Sequence, residues 1–194
     1  MAWQYLPDPI EAYSDSDWGG DATTRRSTSG GCIFAGRHLL QSWSRTQQIV
    51  SLSSAEAELH ALTKCAAEGM AAANMLKEFY MPVALKLTTD SSAEKGIIKR
   101  NGVGKVKHLE VKCLWIQERE ERGDLSCIKI PRLQNSADLL THHFTENEGR
   151  LHLTRMGLIM RSGRQEPSPA RGVPESSLHL VSCHCMCVCA YSWP

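Results

Sequence analysis

The longest helical pattern of the chain begins with Leu52-Ser53-Ser54-Ala55-Glu56-Ala57-Glu58-Leu59-His60-Ala61-Leu62. Ser53 and Glu56 have the spacing of a capping box, which predicts that the helix begins at Ser53. Apolar and small residues then recur at steps of three and four, which predicts one buried stripe that ends near Phe79. The stripe consists of Leu59, Leu62, Ala66, Gly69, Ala73 and Leu76.

Two glutamates in this stretch have different predicted positions. At about 100° per residue, Glu58 lies roughly 55° from the centre of the stripe and Glu56 roughly 105° away on the other side. Glu56 is therefore assigned to the helix cap. Glu58 borders the apolar stripe, where a carboxylate is costly unless a cation, a metal ion or a hydrogen-bond donor lies against it.

The composition fits one folded domain with a remainder. The chain has 194 residues, of which 42% are hydrophobic and 22% charged, and its formal net charge is +1. This near-neutral charge provides no general basic field, so binding of nucleic acid requires a local basic patch. No apolar run reaches membrane-spanning length, and the first residues lack the pattern of a signal peptide. We therefore expect a cytoplasmic or nuclear protein with no membrane partner.

The remaining pattern predicts an α/β domain. The first three strands are separated by short turns that contain glycine, which favours an antiparallel meander. The later strands are joined through helices, which favours a mixed sheet with helices on its faces. Strands are predicted over residues 10–18, 32–35, 38–44, 83–90 and 125–130, and helices over 53–79, 91–101, 108–122 and 135–144.

The predicted domain spans residues 10–144, after a lead-in at 1–9. Residues 145–194 are predicted to be a poorly ordered tail, because proline, serine, glycine and arginine interrupt any regular period there. The tail contains four closely spaced cysteines whose alternating spacing differs from that of structural zinc sites, so a chance composition is the preferred interpretation. These are Cys183, Cys185, Cys187 and Cys189.

Four carboxylates are predicted at the ends of these elements. If the first and fourth strands are neighbours and two helices pack over them, the four acids converge at one end of the sheet. Ionised carboxylates at close range repel one another unless cations lie between them. Oxygen ligands favour Mg²⁺ or Mn²⁺, and two such ions about 3.5–4 Å apart can promote phosphodiester cleavage. The four acids are Asp15, Glu58, Asp90 and Asp138.

Each acid also has a simpler structural explanation. Asp15 can be a surface acid near a turn, and Asp138 can stabilise the N-terminus of its helix. Asp90 can cap the helix that follows it, although a capping box that begins at Ser91 already fills this role. Glu58 is the hardest to explain in this way, because its angular position is unfavourable for a solvated charge. The set of four acids therefore predicts a metal site more strongly than any one of them.

Several motifs occur in a characteristic order along the predicted domain. They are Tyr13-Ser14-Asp15-Ser16-Asp17-Trp18-Gly19-Gly20-Asp21, Arg26-Ser27-Thr28-Ser29-Gly30-Gly31, Ser42-Trp43-Ser44, Gln47-Gln48, the stretch from Leu52 to Leu62, Thr89-Asp90-Ser91-Ser92-Ala93, Lys107-His108-Leu109-Glu110-Val111 and Asn135-Ser136-Ala137-Asp138-Leu139-Leu140-Thr141. In this order and spacing they resemble the ribonuclease H domain of copia-type LTR retrotransposon polyproteins. The resemblance covers residues 11–144 and none of the tail.

The resemblance implies a ribonuclease H-like fold, in which a five-stranded mixed sheet of three antiparallel strands and then parallel strands has helices on both faces. It implies hydrolysis of the RNA strand of RNA–DNA hybrids with two Mg²⁺ ions, or Mn²⁺, beside the reverse transcriptase domain of a Pol polyprotein. The catalytic and metal-binding acids of the family fall on Asp15, Glu58, Asp90 and Asp138. The helix angle of Glu58 and the capping box after Asp90 agree independently with this assignment.

Basic residues are candidates for contacts with nucleic acid. Lysine and arginine on one face can bind a phosphate backbone, whereas a solvated loop explains the same charges equally well. His108 lies within a family motif but has no assigned catalytic role. The candidates are Arg25, Arg26, Lys105, Lys107, His108 and Lys112.

The chain also departs from the family. Many ribonucleases H carry a mobile histidine in the loop before the last helix, and residues 131–134 of this chain contain none. His142 and His143 follow Asp138 and are predicted to be surface residues of the last helix. Two alternatives remain open. One is a catalytically decayed remnant that binds nucleic acid without cleaving it, and the other is a different nuclease or integrase-like enzyme on the same fold, which the motifs disfavour.

Overall fold

The computed structural model describes residues 9–99 and 110–158. Within these residues, none of the helices combines the length and the apolar character that a membrane span requires. The elements in chain order are β1 (Ile10–Asp17), β2 (Thr28–Ala35), β3 (His38–Thr46), α1 (Ser54–Glu78), β4 (Leu85–Thr89), α2 (Ser92–Ile98), α3 (Glu110–Glu121), β5 (Leu125–Lys129), a first 3₁₀ helix (Arg132–Gln134), a second 3₁₀ helix (Ser136–Leu140) and α4 (Glu146–Arg155).

The five strands form one mixed sheet in the order β3-β2-β1-β4-β5. β2 pairs antiparallel with both β1 and β3, which is the predicted meander. β4 pairs parallel with both β1 and β5, and the connections between these strands pass through helices. The predicted fold class, a mixed sheet of three antiparallel strands and then parallel strands, is therefore confirmed.

Helix α1 begins as the capping pattern predicts. Ser53 is its N-cap, and its hydroxyl oxygen accepts a hydrogen bond from the backbone N–H of Glu56 at 3.2 Å. The Glu56 carboxylate reaches one residue further back than in a capping box and accepts from the N–H of Leu52 at 2.7 Å. The predicted stripe is buried as far as Gly69, where an added Cβ atom would lie 2.8 Å from Leu85 of β4. The absence of a side chain therefore lets helix and sheet approach closely.

Alternate residues of β2 face two separate cores. Ile33 and Ala35 belong to the main core, to which α1, α2 and α3 also contribute. Cys32 and Phe34 belong to the opposite core, together with Ala137 of the second 3₁₀ helix and Met156 at the end of α4. Side chains of successive residues point to opposite faces of a strand, so both faces of this strand are covered. The prediction of helices on both faces of the sheet is thus confirmed.

Two elements differ from the predictions by more than a shift of a few residues at their ends. β2 begins at Thr28 and not at residue 32, because Gly30 and Gly31 pair with both neighbouring strands and do not form a turn. Trp43 of β3 covers the space above Gly31, where a Cβ atom would overlap its ring. The predicted helix over 135–144 is replaced by the second 3₁₀ helix, which ends at Leu140. The glycines of β2 and the capping pattern before the second 3₁₀ helix therefore did not predict where these elements begin and end.

The chain after residue 144 continues into α4, which differs from the prediction of a poorly ordered tail. Thr145 and Glu148 form a capping box at the start of this helix. Leu153 and Met156 are buried, and Met156 packs against Phe34 in the opposite core. The helix is mostly polar and buries few residues, so it lacks a clear apolar period in the sequence. The rest of the predicted tail, with its four cysteines, and residues 1–8 of the lead-in lie outside the described residues.

Candidate active site

The C-terminal ends of β1 and β4 lie side by side at one edge of the sheet. The two strands are parallel neighbours, and Tyr13 pairs with Thr88 near the end of their register. Just beyond this pair, Asp15 lies in the last part of β1 and Asp90 directly follows the end of β4. Ligand sites of α/β sheets usually occur where parallel strands end. The adjacency of the first and fourth strands, on which the predicted site depends, is therefore confirmed.

Asp15, Asp138 and His142 form a compact group at this edge. One potential ligand atom from each residue lies within 4.8 Å of those from the other two. Nε2 of His142 lies 3.6 Å from Oδ2 of Asp15 and 3.4 Å from Oδ1 of Asp138. The Asp15 and Asp138 side chains are only 8% and 7% exposed, whereas that of His142 is 34% exposed. Two nearly buried acids thus share a site that is open to solvent at His142.

The second 3₁₀ helix reaches Asp15 because β2 carries a glycine beside it. Gly30 pairs directly with Asp15 across the sheet. A Cβ atom on Gly30 would lie 2.7 Å from Cγ2 of Thr141 and 2.9 Å from Cβ of Leu140. Both separations are well below the optimal distance of about 3.5–4.0 Å between carbon atoms. Glycine therefore allows the segment that carries Asp138 to close onto the sheet.

Two polar side chains fasten this segment to β1. Asn135 is completely buried, and its Nδ2 donates to the backbone carbonyl of Ser14 at 2.9 Å. Its Oδ1 accepts from the N–H of Ala137 at 3.1 Å, so Asn135 caps the second 3₁₀ helix. The hydroxyl of Thr141 donates to the Asp15 carboxylate. These contacts hold the start and the end of the segment beside Asp15.

The acids at this edge perturb one another electrostatically. Burial raises the pKa of Asp15 from 3.8 to about 7, and the nearby charges of Asp138 and Asp90 act in the same direction. Burial also raises the pKa of Asp90, to which the charge of Asp138 again contributes. The guanidinium of Arg132, which lies 3.2 Å from Asp138, opposes both pKa shifts. The three acids thus share one electrostatic environment, which additional positive charge would stabilise.

Glu58 lies in the first turns of α1 and is partly buried, outside the compact group. Glu56 is the more deeply buried of the two glutamates at 5% exposure, which reverses the burial order expected from the helix angles. Its carboxylate turns back toward the cap and lies 3.7 Å from Nε2 of His60. The conformation of the Glu56 side chain, which turns toward the cap, therefore decides its burial more than its angular position on the helix does.

Gln47 holds the start of α1 against the sheet. Its buried Nε2 donates to Oγ of Ser29 in β2 at 2.9 Å and to the backbone carbonyl of Ala57 in α1 at 2.8 Å. Its Oε1 accepts from the hydroxyl of Ser51 at 2.9 Å. This network fixes the helical turn that carries Glu58. Gln47 belongs to the motif Gln47-Gln48, but the sequence did not indicate that its side chain links a strand to a helix.

The predicted nucleic-acid-binding residues are in different environments. Arg25 and Arg26 are exposed in the connection between β1 and β2. Lys112 of α3 is partly buried and contacts His60 of α1, and burial lowers the pKa of Lys112. Its ammonium group therefore lies in the α1–α3 interface, and its role in phosphate binding stays a prediction. Lys105, Lys107 and His108 lie outside the described residues.

His142 was predicted to be a surface residue; its side chain is 34% exposed and also lies beside the two acids, a position that was not predicted. After the second 3₁₀ helix, the N–H of His142 donates to the carbonyl of Asp138 at 3.1 Å. The available signal was the spacing of four residues, which aligns two side chains on one side of a helical turn. His143 is exposed, as predicted. The contribution of Gly30 had no local signal, because it depends on a segment that is remote in the sequence.

The donor set at this edge fits a divalent cation. Two nearly buried carboxylates lie close together, and ionisation of Asp15 is unfavourable in the absence of compensating charge. Carboxylate oxygens are preferred ligands of Mg²⁺ and Mn²⁺. The compact group of Asp15, Asp138 and His142, with Asp90 beside it, therefore has the chemistry of a metal site.

Sequence comparison finds relatives among transposon polyproteins, although no protein-family model matches the chain. The chain is 30% identical over 156 residues to the retrovirus-related Pol polyprotein from transposon TNT 1-94 of Nicotiana tabacum. This alignment covers 78% of the chain and 12% of the polyprotein. It is 24% identical over 161 residues to the retrovirus-related Pol polyprotein from transposon RE1 of Arabidopsis thaliana, which covers 77% and 10%. The matches thus span a small part of these relatives.

Structural comparison adds the class of fold. The ribonuclease LC11-RNase H1, isolated from compost by a metagenomic approach, matches with a TM-score of 0.53 and 22% identity over 69% of this chain and 93% of that protein. Together with the sheet order, this match defines the chain as a member of the ribonuclease H-like fold class. Within that class, the chain is a relative of the Pol polyproteins of copia-type retrotransposons, as the motifs predicted.

Proposed function

We propose that the chain hydrolyses the RNA strand of RNA–DNA hybrids with the help of divalent metal ions. The observation that carries this proposal is the pair of nearly buried carboxylates, Asp15 and Asp138, at the edge where β1 and β4 end. Asp90 lies close enough to contribute to the raised pKa of Asp15. The kinship with retrotransposon Pol polyproteins and the ribonuclease H-like fold support the choice of substrate.

The proposed catalytic and metal-binding residues are Asp15, Glu58, Asp90 and Asp138. When bound, two Mg²⁺ ions, or Mn²⁺, supply Lewis-acid activation of water and charge stabilisation of the departing oxygen. The four carboxylates would hold these ions. Thr141 donates a hydrogen bond to Asp15, and Asn135 holds the segment that carries Asp138 against β1. No side chain attacks the phosphate, so no covalent protein intermediate is expected.

The proposed partners follow from the same substrate. Basic residues contact the phosphate backbone, and contact with the 2′-hydroxyl group distinguishes RNA from DNA. A reverse transcriptase domain of the parent polyprotein produces such hybrids and is the proposed protein partner, in the cytoplasm or nucleus. The proposed backbone contacts are Arg25, Arg26, Lys105, Lys107, His108 and Lys112.

A cleavage assay on a labelled RNA–DNA hybrid with Mg²⁺ tests the proposal. We expect the purified chain to cleave the RNA strand, and chelation of Mg²⁺ to stop cleavage. Asp90→Asn is expected to lower the rate by about 100-fold or more, because it removes a charge from the proposed metal site. Asp124→Asn is the matched control, since Asp124 pairs with Arg119 at 3.1 Å just before β5, away from the edge where β1 and β4 end.

Two results would contradict the proposal. Binding of the hybrid without cleavage by the wild-type chain would favour the catalytically decayed remnant. Cleavage that is equally fast in wild type and Asp90→Asn would mean that the reaction does not use this carboxylate. Both results are interpretable only with folded protein, so the unfolding temperature of each variant is measured first.

A further inference from the structure

We infer that His142 is a metal ligand beside Asp15 and Asp138, and that its imidazole shifts the preference of the site from Mg²⁺ toward divalent transition metals. This inference rests on the proposed function, because it concerns the same cation site. It adds a nitrogen donor to a set of residues that the family resemblance restricts to four carboxylates. It also assigns a role to a residue that lies four positions after Asp138, where the motifs assign none.

The separations between His142 and the two acids are longer than those of direct hydrogen bonds. Nε2 of His142 lies 3.6 Å from Oδ2 of Asp15 and 3.4 Å from Oδ1 of Asp138. Hydrogen bonds between charged nitrogen and oxygen groups are shorter, at about 2.7–2.9 Å. Two ligand atoms at about 2.1 Å from one ion and at right angles to each other lie about 3 Å apart. The two N–O distances are therefore longer than a direct hydrogen bond, and a cation fits between the three side chains.

The backbone presents the imidazole to the two acids. Asp138 and His142 are joined by a hydrogen bond from the N–H of His142 to the carbonyl of Asp138, so both side chains project from one helical turn. Thr141, between them, contacts the Asp15 carboxylate and so holds this turn against β1. Arg132 also lies 3.2 Å from Asp138, but its side chain is 62% exposed and has room to move away when a cation binds.

A nitrogen donor changes the metal preference for a chemical reason. Mg²⁺ is a hard cation that favours oxygen ligands and retains its water, whereas imidazole is a good ligand for transition metals. Mn²⁺ is the appropriate probe, because it also accepts carboxylate ligands and its binding is detected directly by electron paramagnetic resonance. His143 provides the matched control, since it is the adjacent histidine in the sequence and is exposed.

The experiment measures Mn²⁺ binding to the full chain by electron paramagnetic resonance, with Mg²⁺ as competitor. We expect the wild type and His143→Ala to show coupling of bound Mn²⁺ to a ligand nitrogen, and His142→Ala to lack it. We expect His142→Ala to weaken Mn²⁺ binding by about tenfold, with a smaller effect on Mg²⁺ binding. His142→Gln keeps the polar character and approximate size of the side chain and serves as the second variant if His142→Ala is unstable.

The outcomes separate this inference from the proposed function. Absence of nitrogen coupling in the wild type, or equal Mn²⁺ affinity in wild type, His142→Ala and His142→Gln, would overturn the role of His142 and leave hydrolysis of the hybrid intact. Failure of the wild type to bind Mn²⁺ at all would overturn both. Nitrogen coupling with no cleavage of the hybrid would support the metal site and contradict the proposed reaction.

Discussion

Asp15 is a carboxylic acid in a position that disfavours its ionised form. Its pKa is raised from 3.8 to about 7, chiefly by burial and also by the charges of Asp138 and Asp90. The folded protein therefore holds this proton more tightly than the unfolded chain does. The resulting contribution to stability is fully present below about pH 4 and is lost as the pH rises through about 7.

We therefore expect the free energy of unfolding, measured with urea in EDTA, to lose on the order of 3 kcal/mol from this group between pH 4 and pH 7. Asp15→Asn cannot ionise at this position, so its stability should fall less over the same range. Asp124→Asn, which changes an exposed acid, should follow the wild type. A pH dependence that is the same for wild type and Asp15→Asn would contradict the assigned environment.

At the scale of elements, the contact between β2 and the second 3₁₀ helix decides whether Asp138 and His142 reach Asp15. Gly30→Ala would put a methyl group into the space now filled by Thr141 and Leu140. We expect this variant to lose about 1–3 kcal/mol of stability through overpacking and to weaken Mn²⁺ binding. Urea unfolding and titration with Mn²⁺ measure the two effects.

Gly149→Ala is the matched control for that substitution. Gly149 lies in α4, and an added Cβ atom there would meet no atom within 4 Å. Alanine in a helix is favoured over glycine by about 0.5–1 kcal/mol, so this variant should be slightly more stable and should bind Mn²⁺ normally. Normal Mn²⁺ affinity in Gly30→Ala would mean that the segment does not depend on this close approach.

At the scale of the whole molecule, α4 covers the opposite core and belongs to the folded domain. Met156 is 2% exposed and packs with Phe34 and Ala137, whereas Leu151 of the same helix is 53% exposed. We expect Met156→Ala to cost about 2–4 kcal/mol of stability and Leu151→Ala less than about 0.5 kcal/mol. Equal and small effects in thermal or urea unfolding would mean that α4 does not stabilise the domain.

The elements with strong local signals were predictable. α1 has a capping serine at Ser53 and a repeated apolar stripe, and the strands have short alternating patterns between glycines, so their order and type follow from the sequence. α4 and the second 3₁₀ helix were not predictable to the same degree. Each is short and has only a few buried residues, so no regular apolar period marks it in the sequence. The few buried residues pack on the opposite core.

The sequence by itself determined the order of strands and helices, the cap of α1 and the presence of acids at the ends of these elements, because each depends on neighbouring residues. Only the tertiary structure decided that Asp15, Asp138 and His142 lie within 4.8 Å of one another. Their proximity requires the parallel pairing of β1 with β4 and the close approach that Gly30 permits. These are contacts between segments far apart in the chain, and no local pattern records them.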